Sequence, residues 1–285
     1  MFSTFELRPP MYVRLLLWLL AVTAYSVIVI SVFEEYHVPE STLGDAITTV
    51  LGLAIGVLLV FRNRASYDRW WEARTLWGCL INESRNLAIK TAAFADIELA
   101  EQHHFADLLI AFPHALRMHL RGERDPLPEI EAVYPEIKQI QHRPGFVVLQ
   151  IFKYLDRWNR DDTLHASIRI IERNANTLME ICGACERIRN TPMVPSYRYM
   201  AWGSVILYTL AGPWVVGVDQ GWFTIPIVLL ASCFMIGMEM VAETIEEPFG
   251  KEKDDLPLDR YCETIERFIR ETLPAPTATA DAVAG

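Results

Sequence analysis

Hydrophobic residues are concentrated in four stretches of the chain that contain no charged side chain. These stretches cover residues 15–33, 46–61, 199–218 and 220–238. A helix needs roughly 20 predominantly apolar residues to cross the hydrocarbon core of a bilayer, and all but the second stretch reach or approach that length. The pattern therefore predicts an all-α integral membrane protein with four transmembrane helices.

The second apolar stretch is shorter than the others and has two notable features. Gly52 and Gly56 form a G-x-x-x-G pattern, which permits close contact between helices. Leu53, Val57 and Phe61 follow one another at four-residue intervals and so lie along one narrow stripe of a helix. Such a stripe fits ordinary helix packing, and it also fits a ring of helices around a hydrophobic constriction that gates by dewetting.

The segment between the second and third stretches is rich in charge and has helical periodicity. It predicts helices over residues 65–90, 97–121, 146–158 and 163–189, while prolines 126, 128 and 135 predict a loop and residues 143–145 a second break. An amphipathic helix is predicted over residues 259–273. The expected organisation is an N-terminal segment with two transmembrane helices (1–62), a cytoplasmic helical region (63–198), two more transmembrane helices (199–248), a cytoplasmic segment with a helix (249–273) and a disordered tail (274–285).

Basic residues at the ends of the stretches predict the orientation. Arg8 and Arg14 precede the first stretch, whereas residues 34–45 after it contain no Lys or Arg; arginines again follow the second stretch and lysines the fourth. Because cytoplasmic loops carry the excess of Lys and Arg, we expect both termini and the long middle segment to lie in the cytoplasm.

Composition and charge exclude several classes of protein. The 285-residue chain carries 26 Lys and Arg against 36 Asp and Glu, a formal net charge of −10, and 52% of its residues are hydrophobic. The apolar content excludes intrinsic disorder, and the acidic balance argues against a nucleic-acid partner, which requires a dense basic surface. Five scattered cysteines are too few for a disulfide framework.

Candidates for catalysis or metal binding are weak. Cys182 and Cys185 form a C-x-x-C inside a helical segment without a second pair, which favours two packed helix residues over a redox or metal site. His103, His104 and His114 are not spaced with carboxylates as a metal-binding helix requires, so we interpret them as packed or solvated histidines. We expect no enzyme activity, no cofactor and no metal site.

Two glutamates continue the fourth apolar stretch. Glu239 and Glu243 follow it directly, and ionisable side chains at membrane depth are costly and usually face protein or water. They either belong to a functional site within the membrane or lie just past its edge, where the helix enters the cytoplasmic region. Periodicity does not decide between these alternatives.

Three motifs resemble those of the bestrophin family, and of its prokaryotic members in particular. The first is FRNRASYDRWWEAR at residues 61–74, followed by LWG at 76–78; the second is AETIEEPFG at 242–250, followed by DDL at 254–256; the third is ERIRNTP at 186–192. The family-motif residues carried by this resemblance are Arg69, Trp70, Glu243, Pro248, Phe249 and Gly250. The family pattern covers the chain to about residue 273.

The resemblance implies a homopentamer with a central ion pore, embedded in the plasma membrane (the bacterial inner membrane). Leu53, Val57 and Phe61 match the family's hydrophobic neck, and Met193, with Val194 as the alternative, matches its narrow cytoplasmic aperture. The expected partners are other copies of the chain, the lipid bilayer and permeant monovalent ions. Anions, chloride above all, are favoured by the family, whereas the acidic charge of this chain favours cations. A membrane scaffold or sensor with a vestigial pore is the alternative from another class.

Two departures from the family affect these expectations. Calcium-activated animal members have a continuous acidic run after Pro-Phe-Gly, but here Lys251 and Lys253 interrupt it. Ammonium groups among the oxygen ligands oppose the binding of a hard cation, so we predict no calcium clasp and a channel that calcium does not activate. The second departure is Arg62, directly after Phe61, which faces either the pore or a neighbouring subunit.

Overall fold

The computed structural model describes residues 9–36, 42–95, 97–159 and 165–274. In this part of the chain all regular elements are helical, which confirms the predicted fold class. The α-helices are α1 (Met11–Tyr36), α2 (Thr42–Phe94), α3 (Leu99–Arg121), α4 (Pro128–Val133), α5 (Arg143–Asn159), α6 (His165–Asn190), α7 (Pro195–Gln220), α8 (Thr224–Ile245) and α9 (Leu258–Thr272). Short 3₁₀ turns cover Pro135–Lys138 and Gly221–Phe223.

Several predicted boundaries are wrong, each for a local reason. Residues 46–61 and 65–90 belong to one helix, α2, because the change from apolar to charged side chains does not interrupt backbone hydrogen bonding. The loop predicted from its prolines contains α4 and a 3₁₀ turn, which begin at Pro128 and Pro135. Proline is tolerated at the first helical position, where no backbone donor is needed. The same tolerance explains why α5 begins at Arg143 and includes Pro144. The predicted tail lies outside the described residues beyond position 274.

Four of the described helices are long and apolar enough to cross a membrane. They are α1, the apolar part of α2, α7 and α8. This result agrees with the four spans predicted from the charge-free stretches. The chain is therefore a multi-pass membrane protein.

One compact unit consists of residues 1–69 and 193–246 and contains the apolar helices. Helices α1, α7 and α8 pack against one another. Ile55 and Leu59 of α2 join a small buried cluster with Val205, Ile236 and Met240. Many other apolar side chains of these helices remain exposed, as expected of surfaces that face lipid or further protein rather than water.

The other compact unit consists of residues 70–192 and 247–285 and has a larger core. Helix α3 lies at the centre of this core, packed against α5 and α9. Phe105, on α3, is fully buried and contacts Trp158 of α5 with ring centroids 4.8 Å apart. The second half of α2 and helix α6 contribute further buried apolar residues, so this unit is built like a water-soluble helical domain.

Phe105→Ala tests the importance of this core. Removal of a buried phenylalanine ring leaves a cavity, and we expect the free energy of unfolding to fall by about 3–5 kcal/mol. Thermal unfolding of the detergent-solubilised protein, followed by circular dichroism, measures the effect. Leu99→Ala on the same helix is the control, because Leu99 is exposed and its truncation should leave the melting temperature almost unchanged. Equal melting temperatures for the two variants would contradict this assignment of the core.

Candidate functional site

The stripe of apolar residues on α2 lies on a face that its own chain leaves uncovered. Leu53, Val57 and Phe61 are 73%, 50% and 61% exposed. On the opposite side of the helix, Ile55 and Leu59 are buried against α7 and α8. The helix is therefore fixed by one face, and its predicted neck residues project from the other.

The two glycines of the second apolar stretch have different surroundings. A Cβ atom on Gly52 would lie 3.2 Å from the ring of Tyr208 on α7, so this glycine permits a close approach of two helices. A Cβ atom on Gly56 would have no neighbour within 4 Å among the described residues. Only Gly52 is thus used for packing inside the chain, and a packing role for Gly56 stays a prediction.

Arg62 directly follows this stripe and is fully buried, with 0% of its surface exposed. Its Nε donates to Glu239 Oε1 at 3.2 Å and its Nη2 donates to Glu246 Oε2 at 2.7 Å. Its Nη1 lies 2.9 Å from both Ser66 Oγ and Met193 Sδ. We call these five residues the Arg62 cluster. Sequence reasoning left Arg62 facing the pore or a neighbouring subunit, but the side chain is enclosed by its own chain.

Burial makes the charges in the Arg62 cluster depend on one another. Removing a charge from water costs several kcal/mol, and the remaining partners offset this cost only if they are hydrogen-bonded. One guanidinium faces two carboxyl groups, and Glu239 Oε2 is buried without a hydrogen-bond partner among the described residues. Glu239 is therefore enclosed by protein and depends on Arg62 for its stabilisation. Whether Glu239 lies within the membrane or just past its edge stays a prediction.

The Arg62 cluster also fixes the chain just before α7. The backbone N–H of Met193 donates to Glu246 Oε1 at 3.2 Å, and the sulfur of Met193 contacts Arg62. The side chain of Val194 is exposed. The assignment of Met193 or Val194 to a cytoplasmic aperture stays a prediction; of the two, Val194 presents its side chain to the surface.

Two family-motif residues lie close to the Arg62 cluster. Arg69 donates from Nε to the carbonyl of Glu246 at 3.3 Å. Glu243, one turn after Glu239 on α8, accepts a hydrogen bond from Arg14 of α1 at 2.8 Å. The charged residues at the end of α8 therefore form contacts with α1 and α2, which the motif residues alone did not reveal.

The Pro-Phe-Gly motif forms a turn closed by backbone hydrogen bonds. The N–H of Leu256 donates to the carbonyl of Pro248 at 3.0 Å, and Trp70 Nε1 donates to the carbonyl of Asp254 at 3.1 Å. Arg121 Nε donates to the carbonyl of Phe249 at 3.2 Å. The motif residues Trp70, Pro248 and Phe249 thus stabilise the loop.

The acidic residues of this loop are not arranged around a common point. Asp255 accepts the backbone N–H of Glu252 at 2.6 Å, and burial raises the pKa of its carboxyl group to about 6. Lys251 pairs with Glu123 at 2.5 Å. The side chains of Glu252 and Asp254 are exposed.

The cysteines and histidines singled out in the sequence pack or pair with neighbouring side chains. Cys182 and Cys185 are buried free thiols, and burial raises the pKa of Cys182 to about 12, far from the range of a reactive thiolate. His103 pairs with Asp107 and His114 with Glu266, at 3.5 and 3.6 Å. His104 stacks near the rings of Tyr134 and Tyr154.

Sequence reasoning missed a different group. Two histidines and a glutamate, at positions 119, 142 and 186, bring their ligand atoms within 4.8 Å of one another. They come from three separate parts of the chain and have no common spacing. A sequence motif could not have revealed them.

Comparison with known proteins identifies the family. The protein-family model of the bacterial and fungal bestrophins matches residues 3–271 of this sequence. The chain is a member of the bestrophin family. A voltage-dependent anion channel-forming protein from Ralstonia nicotianae is 35% identical over 246 residues, which is 83% of this chain and 79% of that protein. The voltage-dependent anion channel-forming protein YneE of Escherichia coli K12 is 36% identical over 228 residues, 76% of this chain and 73% of that protein.

Solved bestrophin structures have the same fold. The crystal structure of a bacterial bestrophin homologue from Klebsiella pneumoniae matches with a TM-score of 0.83 at 27% identity, over 90% of this chain and 97% of that one. The resemblance predicted from the motifs is therefore confirmed. The described helices of this bestrophin, from α1 to α9, can be compared directly with those of a solved homologue.

Arg62→Met tests the Arg62 cluster. The change leaves Glu239 and Glu246 buried without their cation, so we expect the free energy of unfolding to fall by about 3–5 kcal/mol. Arg64→Met, two residues along α2, is the control, because Arg64 is exposed and its pair with Asp68 spans 3.9 Å.

Thermal unfolding in detergent measures both variants. Adding Glu239→Gln and Glu246→Gln to Arg62→Met should recover part of the loss, because neutral amides no longer require a cation. A melting temperature of Arg62→Met equal to that of Arg64→Met would show that the cluster does not stabilise the fold.

Proposed function

We propose that this bestrophin is a passive anion channel, assembled as a homopentamer with α2 of each subunit lining the pore. The observation that carries the proposal is the exposed apolar line of Leu53, Val57 and Phe61 on a helix fixed by its opposite face. The relatives from Ralstonia nicotianae and Escherichia coli are named as voltage-dependent anion channel-forming proteins. An uncovered apolar line at this position fits a neck formed between copies of the chain.

The proposed neck works by controlling hydration. Apolar rings of this kind exclude water when narrow, and ions then cross only when the constriction widens or wets. The rings of Phe61 present edges of positive partial charge, which favour an anion over a cation. The Arg62 cluster holds the last neck residue in place from the adjacent position, because a helix that is fixed at residue 62 cannot freely rotate residue 61.

The charge of the remaining chain opposes this selectivity. Each chain has a formal net charge of −10, and an acidic wall concentrates cations in a wide vestibule. Because selection occurs where the pathway is narrowest, the neck and not the average charge determines the preferred ion in our proposal. A cation-selective channel of the same architecture is the alternative that the acidic charge supports.

We further propose that calcium does not activate this channel. In the loop after Pro-Phe-Gly, the carboxyl group of Asp255 caps the N–H of Glu252, and Lys251 places an ammonium group beside Glu123. A calcium ion takes six to eight oxygen ligands at once, and the carboxyl groups of Asp255 and Glu123 are already engaged with these groups of the protein.

We also propose that the channel lies in the bacterial inner membrane, with both termini and residues 63–198 in the cytoplasm. Arg14 and the arginines after the second span mark the cytoplasmic side.

Planar-bilayer recording under a KCl gradient tests the proposed selectivity. We expect the current of the purified protein to reverse near the chloride equilibrium potential and to be unchanged when a calcium chelator replaces calcium. Reversal near the potassium potential would overturn the anion assignment in favour of the cation channel. A loss of current with the chelator would overturn calcium independence. An absence of current from folded, oligomeric protein would favour the scaffold or sensor.

Substitution of the neck tests the pathway itself. Leu53→Ala, Val57→Ala and Phe61→Ala together widen the proposed constriction and make it less apolar, so we expect a larger current at each voltage. Leu51→Ala is the control, because Leu51 is exposed on another side of α2 and should leave the current unchanged. Unchanged current in the triple variant would exclude α2 as the pore neck. Mass measurement of the purified assembly should give five copies for both variants and for the parent protein.

A further inference from the structure

Three potential metal ligands converge at one point in the unit that contains residues 70–192. His119 lies in the last turn of α3, His142 immediately precedes α5, and Glu186 lies near the end of α6. Glu186 Oε1 is 2.6 Å from His119 Nε2 and 2.9 Å from His142 Nε2. The two imidazole rings lie with their centroids 4.8 Å apart. Both rings thus direct their outer nitrogen to the same carboxylate oxygen.

Local backbone contacts hold these side chains in position. Helix α3 ends at Gly122, whose positive φ of 72° forms a left-handed cap one residue after Arg121. The carbonyl of His119 accepts a hydrogen bond from Arg189 of α6 at 2.6 Å, which ties the ends of the two helices together. The N–H of Gly145, in the first turn of α5, donates to His142 Nδ1 at 3.0 Å. The arrangement is therefore imposed by the helix ends.

The chemistry of the donors selects a class of ion. Two imidazole nitrogens and one carboxylate oxygen suit zinc and neighbouring divalent transition metals, whereas calcium and magnesium prefer sites made of oxygen alone. All three side chains are partly exposed, so an ion can enter and water can supply a fourth ligand, as in zinc sites with three protein ligands. We propose that His119, His142 and Glu186 bind one divalent transition-metal ion of the zinc class.

The protonation of the cluster is compatible with this role. Glu186 Oε1 lies within hydrogen-bonding distance of Nε2 of both rings, a geometry that fits donation from each Nε2 to the carboxylate. An ion would replace both protons at Nε2, and each ring would then carry its proton on Nδ1. His142 would give up its hydrogen bond from Gly145.

One nearby charge opposes the ion. The guanidinium of Arg189 is held at the carbonyl of His119, and Glu186 supplies the only negative charge among the three ligands. The expected affinity is therefore below that of a site whose ligands and surroundings are all neutral or acidic. Cysteine ligands are absent from the three, which also favours exchangeable over permanent binding.

Metal binding to the full-length protein in detergent tests the proposal. Equilibrium dialysis against zinc should give one ion per chain, and cobalt(II) should give the visible absorption of a tetrahedral site. His119→Ala and Glu186→Gln should each weaken zinc binding by more than about tenfold. Glu186→Gln retains a hydrogen-bonding side chain of the same size, so its folding is expected to match that of the parent protein. Neither measurement depends on ion conduction, so a failure of the proposed channel function would leave this test intact.

His114→Ala is the matched control. His114 lies on the same helix α3 and is paired with a glutamate, Glu266, at 3.6 Å, but no third ligand from the described part of the chain joins them. We expect its zinc binding to equal that of the parent protein. The melting temperature should rise with zinc in the parent and in His114→Ala, because an ion bound only by the folded state stabilises it, and should not rise in Glu186→Gln.

Either of two results would overturn the proposal. Zinc binding that is the same in Glu186→Gln, His119→Ala and the parent would show that the ion lies elsewhere. Absence of zinc binding and of a cobalt spectrum in the folded parent protein would show that the three residues form a hydrogen-bonded cluster that only joins helix ends.

Discussion

A single buried cation determines how the apolar helices of this bestrophin fit together. A guanidinium removed from water must find its hydrogen-bond acceptors within the protein, and Arg62 finds them on α8 and in the segment just before α7. Apolar side chains cover all faces of these helices, so shifting one helix along its axis or rotating it changes the packing free energy little. The acceptors of Arg62 exist in only one arrangement, so the ion pairs specify which residues of α2 point inward. The exposed line of neck residues is the consequence.

Much of the fold can be predicted from the chain because the signals are long. Charge-free stretches locate the apolar helices, and the charged helical periodicity locates α3, α5, α6 and α9. The predictions that fail concern local features, namely where individual helices begin and end. Pro128 and Pro135 begin helical turns where a loop is expected, since proline ends a helix from inside but starts one without cost. The continuity of α2 is missed because composition changes abruptly at Arg62 while the backbone does not.

In the candidate site, too, some residues can be predicted from the sequence and others cannot. The stripe of Leu53, Val57 and Phe61 can be found from four-residue spacing alone, since all three lie on one helix. Arg62 can be identified as unusual, but its partners Glu239 and Glu246 are more than 170 positions away along the chain, and periodicity contains no information about such a distance. His119, His142 and Glu186 are beyond prediction for the same reason, and because one of them belongs to no helix.

The Arg62 cluster and the group of His119, His142 and Glu186 both pair carboxyl groups with nitrogen donors, but they differ in their capacity to bind a metal ion. The carboxyl groups around Arg62 are closed to solvent and already paired with an internal cation, so an added ion would have to compete with a buried arginine. Glu186 is hydrogen-bonded to two imidazoles, whose protons can shift from one ring nitrogen to the other, and it remains in contact with solvent. The first arrangement fixes a structure permanently. The second can exchange its hydrogen bonds for metal bonds, because the ligand atoms that a divalent ion requires are the same atoms that hold the cluster together without it.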